Sequence, residues 1–208
     1  MEDVLDVYKR PYDPKRPQIC MDEMPKQLLD EKYQPLPTQP GQSAKEDYEY
    51  ERHGTANLFM LFEPLAGKRY IGTNSHRKAV DWAHVMKTVA DEHYPDAEVI
   101  VLVMDNLNTH KPASFYEAFD PEEAHRLSRR FEIHYTPKHG SWLNMAEIEL
   151  SALVRQCLKR RIPDQHTLDA EAQAWAKDRN DMVVKVDWRF TTADARIKLR
   201  HLYPKIQV

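Results

Sequence analysis

The run Val99-Ile100-Val101-Leu102-Val103-Met104 constrains the fold of this chain more than any other stretch. A continuous apolar run leaves no side of the backbone suited to water. The pattern therefore predicts a strand buried on both faces, as in a parallel or mixed sheet. Such a strand needs layers above and below it, and the flanking periodicities supply them. Residues 77–94 carry Val80, Trp82, Ala83, Val85, Met86, Val89 and Ala90 at helical spacing. Residues 113–130 read as helix in two pieces broken near Pro121, and residues 131–135 as a short strand closed by Pro137. Two longer helices are expected over 143–160 and 167–180.

Upstream, residues 1–17 are charged and proline-rich (Lys9, Arg10, Pro11, Pro14, Lys15, Arg16, Pro17) and read as an extended lead-in. A short strand is expected over 18–23, ended by Pro25 because proline donates no ladder hydrogen bond. Pro35, Pro37, Pro40 and Gly41 predict a long loop. Residues 48–55, 57–62 and 69–73 read as strands, which with the first suggest an antiparallel meander. Strands followed by alternating helix and strand give an α/β layer fold with a mixed central sheet flanked by helices. This is the element order of the ribonuclease H-like fold, placed over 18–208.

The 208 residues suffice for one domain with a real core. The sequence has no apolar stretch long enough to span a membrane and no export signal at its start, so no membrane partner is expected. Cys20 and Cys157 lie far apart without metal-ligand spacing, which suggests a reducing, cytoplasmic setting. Thirty Lys and Arg against 33 Asp and Glu give a net charge of -3, so any surface for a polyanion must be local.

Three carboxylates occupy telling places. Asp105 closes the apolar run, where open α/β sheets place their ligands; Asp105-Asn106 is equally a good turn opener. Asp22 follows the apolar Ile19-Cys20-Met21 and precedes Glu23, and neighbours on a strand face opposite ways, so only one of this pair can serve a given site. A solvent-exposed strand end is the alternative. Glu147 falls on a stripe counted from Leu143 through Leu150, Val154 and Leu158. Glu149, about 200° further round a helix, is expected to face solvent. Three converging carboxylates with few nitrogen ligands would suit a hard cation such as Mg²⁺ or Mn²⁺ rather than zinc. A zinc hydrolase using His110, His134 and His139 is a rival reading, but no helix carries a His-x-x-x-His pair.

The string Met104-Asp105-Asn106-Leu107-Asn108-Thr109-His110-Lys111 resembles the second-aspartate motif of bacterial insertion-sequence transposases of the mariner-type DDE superfamily. Tyr135-Thr136-Pro137-Lys138-His139-Gly140-Ser141-Trp142-Leu143-Asn144-Met145-Ala146-Glu147 resembles their third motif, and Cys20-Met21-Asp22-Glu23 is similar to the first. Residues 48–59 and 188–196 add supporting matches, and the resemblance runs from Val7 to Pro204. Asp105 and Glu147 are 42 positions apart, longer than usual in that family, with the excess placed over 114–130.

The resemblance implies a nuclease and strand transferase that cuts DNA at transposon ends and joins it to target DNA, at TA sites. Asp22, Asp105 and Glu147 would be the catalytic metal ligands, holding two Mg²⁺ or Mn²⁺ ions. Asn106, His110, Lys138, His139, Ser141 and Asn144 are candidates either to support the metal ligands or to contact DNA phosphate, with Lys138 and His139 nearest the scissile phosphate. Ser141 could cap the Glu147 helix. Arg126, Arg129, Arg130, Arg155, Lys159, Arg160 and Arg161 could meet DNA backbone or simply be a solvated face. The implied partners are transposon-end and target DNA and a second copy of the chain, in a bacterial, nucleoid-associated setting. The helix-turn-helix region usual upstream of the first aspartate has no room before Asp22, so it is expected fused or separately encoded. A catalytically inactive remnant that binds DNA or protein is the alternative.

Overall fold

The computed structural model describes residues 1–33, 40–41 and 48–203. Pro35 and Pro37 of the expected loop, and Pro204, lie outside the described residues. The described chain builds a five-stranded mixed sheet in the order β3-β2-β1-β4-β5. Its strands are β1 (Gln18–Glu31), β2 (Tyr50–Glu63), β3 (Lys68–Asn74), β4 (Ile100–Met104) and β5 (Phe131–Tyr135). The first three pair antiparallel as a meander. β1 then pairs parallel with β4, and β4 parallel with β5. The apolar run is the buried strand that its composition required, with every residue of β4 inaccessible.

Alternation along the strands sorts the core into two layers. Cys20, Leu58, Met60, Phe62, Val101 and Val103 face one way, against α5 (Met145–Gln156) and α6 (Gln165–Asp181). Ile19, Met21, Phe59, Leu61, Leu102 and Met104 face the other, against α2 (Ala79–Thr88), α3 (Ala113–Ala118) and α4 (Pro121–Ser128). The break before Pro121 falls where expected, with Asp120 capping α4 through the backbone N–H of Glu123.

Several expectations need correction. The lead-in is not extended throughout: Glu2–Tyr8 forms a helix, α1, that buries Val4, Leu5, Val7 and Tyr8. These residues recur at i, i+3 and i+4, a short apolar stripe that the prolines and charges after it obscured. Pro25 does not end β1. Beyond Cys20 β1 has lost β4 and keeps only β2, so an absent N–H can face an unpaired edge. The segments 48–55 and 57–62 are parts of the single strand β2. A last helix, α7 (Thr192–Lys198), follows a capping box between Thr191 and Asp194 that passed unread.

The largest departure concerns Glu149, which is 1% exposed rather than solvent-facing. The helix begins at Met145, while Leu143 belongs to a preceding 3-10 turn, so a stripe counted from Leu143 is out of phase. The true buried face is Ala146, Glu149, Leu150 and Leu153. Glu149 takes a hydrogen bond from Arg69 Nε and two from Arg179, at 3.1 and 3.0 Å. Arg69, also buried, donates to the Gly67 and Val184 carbonyls and lies 4.5 Å over the Phe62 ring. The cluster ties β3, α5 and α6 to the chain after α6, where Val183 adopts φ +50. Gly67 is required there: at φ +70, an added Cβ would come within 3.0 Å of the Val183 carbonyl carbon.

Removing one member of a buried ion cluster strands the other charge. Arg69→Ala and Glu149→Ala should each lower the unfolding free energy by about 3–5 kcal/mol, read from urea melts. A loss under about 1 kcal/mol, typical of exposed pairs, would contradict this account.

Candidate active site

The parallel register between β1 and β4 places the first two carboxylates. Gln18, Ile19 and Cys20 pair with Val101, Leu102 and Val103. Two residues beyond the Cys20–Val103 pair stand Asp22, within β1, and Asp105, just past the end of β4 at Met104. By alternation Asp22 continues the face of Cys20, towards α5, and Glu23 continues the opposite face.

Glu147 arrives from α5, which is anchored at its start. Asn144, 2% exposed, accepts the backbone N–H of Ala146 on its side-chain oxygen at 3.1 Å and donates from Nδ2 to the carbonyl of Met21 at 2.8 Å. The residue that caps the helix is therefore bonded to β1 next to Asp22. Tyr8 holds the preceding residue, its hydroxyl donating to the Leu143 carbonyl at 2.6 Å. Glu147 sits in the first turn of α5, half-buried at the shoulder of the packed face.

Asp22 lies within electrostatic reach of Asp105 and Glu147. Burial raises the Asp22 pKa; the backbone N–H of Glu23, at 2.8 Å, opposes this, and the charges of Asp105, Glu147 and Glu23 add to it, giving about 7. Among the described residues no three His, Cys, Asp or Glu side chains stand in a ready-made metal cluster. The donor chemistry still fits a hard divalent cation, with oxygen ligands from Asp22, Asp105 and Glu147.

On the other side of Asp105 lies His110, 0% exposed in its side chain. Its Nδ1 is 2.7 Å from Asp105 Oδ1 and its Nε2 is 2.9 Å from Glu23 Oε1. Burial disfavours the imidazolium, but hydrogen bonds to Asp105 and Glu23 outweigh it and push the pKa up to about 9.

The expected DNA contacts divide accordingly. Lys138 and Asn106 are exposed and line a cleft of about 590 Å³ that opens beside Asp105, along with Ser141. His139 is exposed next to it in sequence. His110 and Asn144 are buried and bonded within the protein, so neither can touch DNA as expected; one holds carboxylates and the other caps a helix. Ser141 is not the cap of α5. Of the basic residues, Arg126 pairs with Glu123 and Asp91, Arg130 donates to the Ala90 and Tyr94 carbonyls, Arg160 pairs with Glu171 and Arg161 with Glu31. Arg129, Arg155 and Lys159 remain exposed. The three histidines of the zinc reading are scattered: His110 is taken by Asp105 and Glu23, His134 by Asp3 and Glu132, and His139 faces solvent.

A family model described as DDE superfamily endonuclease matches residues 17–169, a span that includes Asp22, Asp105 and Glu147. The chain belongs to the DDE superfamily endonuclease family. Its fold is similar to solved structures of Mos1 mariner transposase. The paired end complex with Mn has 15% sequence identity and a TM-score of 0.55, covering 87% of this chain and 54% of that one. The strand transfer complex has 14% identity and a TM-score of 0.57, covering 95% of this chain and 56% of that one. A pre-cleavage transpososome has 14% identity and a TM-score of 0.55, covering 87% and 58%. The chain thus spans little more than half the length of these structures. No curated protein matches the sequence. The ribonuclease H-like fold with its mixed sheet and flanking helices is as the element order implied. No helix among the described residues is long and apolar enough to cross a membrane.

The raised pKa of Asp22 gives a pH prediction. The folded chain holds this proton to about pH 7, whereas an unfolded Asp releases it near 3.9. Between those values the folded state binds more protons, so stability falls as pH rises, and the penalty is complete above about pH 8. In EDTA at pH 8, Asp22→Asn should therefore be more stable than the parent by on the order of 1 kcal/mol or more, about 2–4 °C in Tm. The difference should close towards pH 4, where the parent is protonated in both states. A parent as stable as Asp22→Asn at pH 8 would count against the convergence.

Proposed function

We propose that this chain is the catalytic part of a mariner-type DNA transposase, a divalent-metal-dependent enzyme that cuts DNA at transposon ends and joins the freed ends to target DNA. What supports the proposal is that Asp22 and Asp105 each follow the parallel pairing of β1 with β4, with Glu147 near enough for its charge to act on Asp22, in a chain of an endonuclease family. The folds it resembles belong to a transposase solved as a paired end complex with Mn and as a strand transfer complex.

In this reading Asp22, Asp105 and Glu147 hold Mg²⁺ or Mn²⁺, as two ions. When bound, the metal supplies a polarised nucleophile and neutralises charge on the departing oxygen. The protein's task is to hold the carboxylates in place and to bring phosphate to them. β1 and β4 fix the two aspartates by register, and Asn144 fixes the turn that carries Glu147. Lys138, on the wall of the cleft beside Asp105, offers a cation to the scissile phosphate, with His139 and Asn106 at hand. Water attacks phosphorus and releases a 3′-hydroxyl; that hydroxyl then attacks target DNA, at TA dinucleotides. No protein nucleophile is required. A second copy of the chain and a fused or separately encoded helix-turn-helix region would complete the assembly on transposon ends.

The test is nicking of plasmid DNA with Mn²⁺ or Mg²⁺, alongside thermal melts. The parent chain should nick DNA only with added metal, and Asp22→Ala, Asp105→Ala and Glu147→Ala should each fall to background while remaining folded. Millimolar Mn²⁺ should raise the parent's Tm by mass action, and should not raise that of a variant lacking both aspartates. Metal-independent nicking, or activity kept by the Glu147 variant, would refute the assignment. DNA binding with no nicking under any metal would favour an inactive, DNA-binding remnant.

A further inference from the structure

Glu23 and His110 sit outside the proposed ligand set, yet both are buried within hydrogen-bond reach of it. The Glu23 side chain is 3% exposed and that of His110 0%. The imidazole spans two carboxylates, Glu23 Oε1 at 2.9 Å and Asp105 Oδ1 at 2.7 Å. Each ring nitrogen faces a carboxyl oxygen, so the ring ties Glu23 to Asp105. Its backbone is fixed as well: His110 N–H donates to the Leu107 carbonyl at 3.1 Å, and Tyr135 hydroxyl to the His110 carbonyl at 2.8 Å. The ring stacks on buried Trp82, with centroids 5.9 Å apart. The other Glu23 oxygen, Oε2, is buried without a hydrogen-bond partner among the described residues. A half-satisfied buried carboxyl group is expensive as packing alone; what it secures is the imidazole beside Asp105.

We propose that Glu23 and His110 form a relay that positions Asp105, gripping Oδ1 from behind so that Oδ2 is presented to the metal. The proposal rests on the reading of Asp22, Asp105 and Glu147 as metal ligands and extends it to two positioning residues on the opposite face of the sheet. β1 serves both faces at once, with Asp22 turned to the site and Glu23 to the histidine behind it. Without the relay, Asp105 lies at the start of a loop with its side chain 35% exposed and free to take other rotamers. Groups that orient a metal's ligands typically change metal affinity or activity about 10- to 100-fold when removed.

The experiment is direct Mn²⁺ binding to the full chain without DNA, followed by the paramagnetic resonance of free Mn²⁺, with circular dichroism to verify folding. His110→Ala should weaken binding about 10- to 100-fold. The isosteric Glu23→Gln should weaken it in the same direction, and decides the matter if His110→Ala does not fold. Because the two act in series, the double variant Glu23→Gln/His110→Ala should bind no worse than His110→Ala alone. Folded single variants that bind Mn²⁺ as tightly as the parent, even with lowered Tm, would reduce the pair to a structural role and overturn the relay. Losses that simply add in the double variant would overturn it too. Asp22→Ala and Asp105→Ala are the controls. If they bind Mn²⁺ like the parent, or the parent binds none, the metal-site reading itself has failed, and the relay with it.

Discussion

Three residues of parallel pairing between β1 and β4 govern the geometry of this molecule. Gln18, Ile19 and Cys20 join the antiparallel meander to the strand that requires burial on both faces. That junction makes the sheet mixed and sets Asp22 beside Asp105. Past Cys20 the two strands no longer pair, and the helix bearing Glu147 packs on β1 and β2. Parallel pairing of this kind needs a long crossover, and the chain from β2 through α2 provides it. The helices on either face follow from the same arrangement, because both faces of β4 must be covered.

The elements legible in the sequence were those whose signal is local and repetitive. Residues 99–104 declare a buried strand by composition, and the helix over 79–88 declares itself by spacing. Asp105 and Glu147 stand out because they interrupt such patterns. Where the reading failed, the deciding partner lay far away along the chain. Glu149 looked like a surface residue because nothing near it announces Arg69 or Arg179, 80 and 30 positions distant. For His110 the motif alone left open whether it supports Asp105 or meets phosphate; Glu23, 87 positions away, turns it inward. The cap of α5 was misplaced by three residues for a different reason. A 3-10 turn at Ser141–Leu143 intervenes, and both Ser141 and Asn144 are good caps.

Charge is used economically here. A net charge of -3 argues against a broad basic surface, and most of the arginines that might have formed one are committed to carboxylates or carbonyls within the fold. Arg69 and Arg179 neutralise Glu149, and Arg126 is bound to Glu123 and Asp91. Lys138 lies exposed at the cleft beside Asp105, while Arg129, Arg155 and Lys159 are exposed elsewhere.

The double duty of β1 bears on how this sequence can change over time. Asp22 and Glu23 must face opposite layers, so one residue gained or lost between Gln18 and Asp22 would exchange their directions and disable both together. Between Asp105 and Glu147 no such rule applies. Each end is pinned independently, one by the β1–β4 register and the other by the bond from Asn144 to Met21. Extra residues in that interval can be accommodated without moving either carboxylate. Divergent relatives should accordingly differ widely in length between the second and third acidic positions, while the few residues around the first admit substitution but no insertion or deletion.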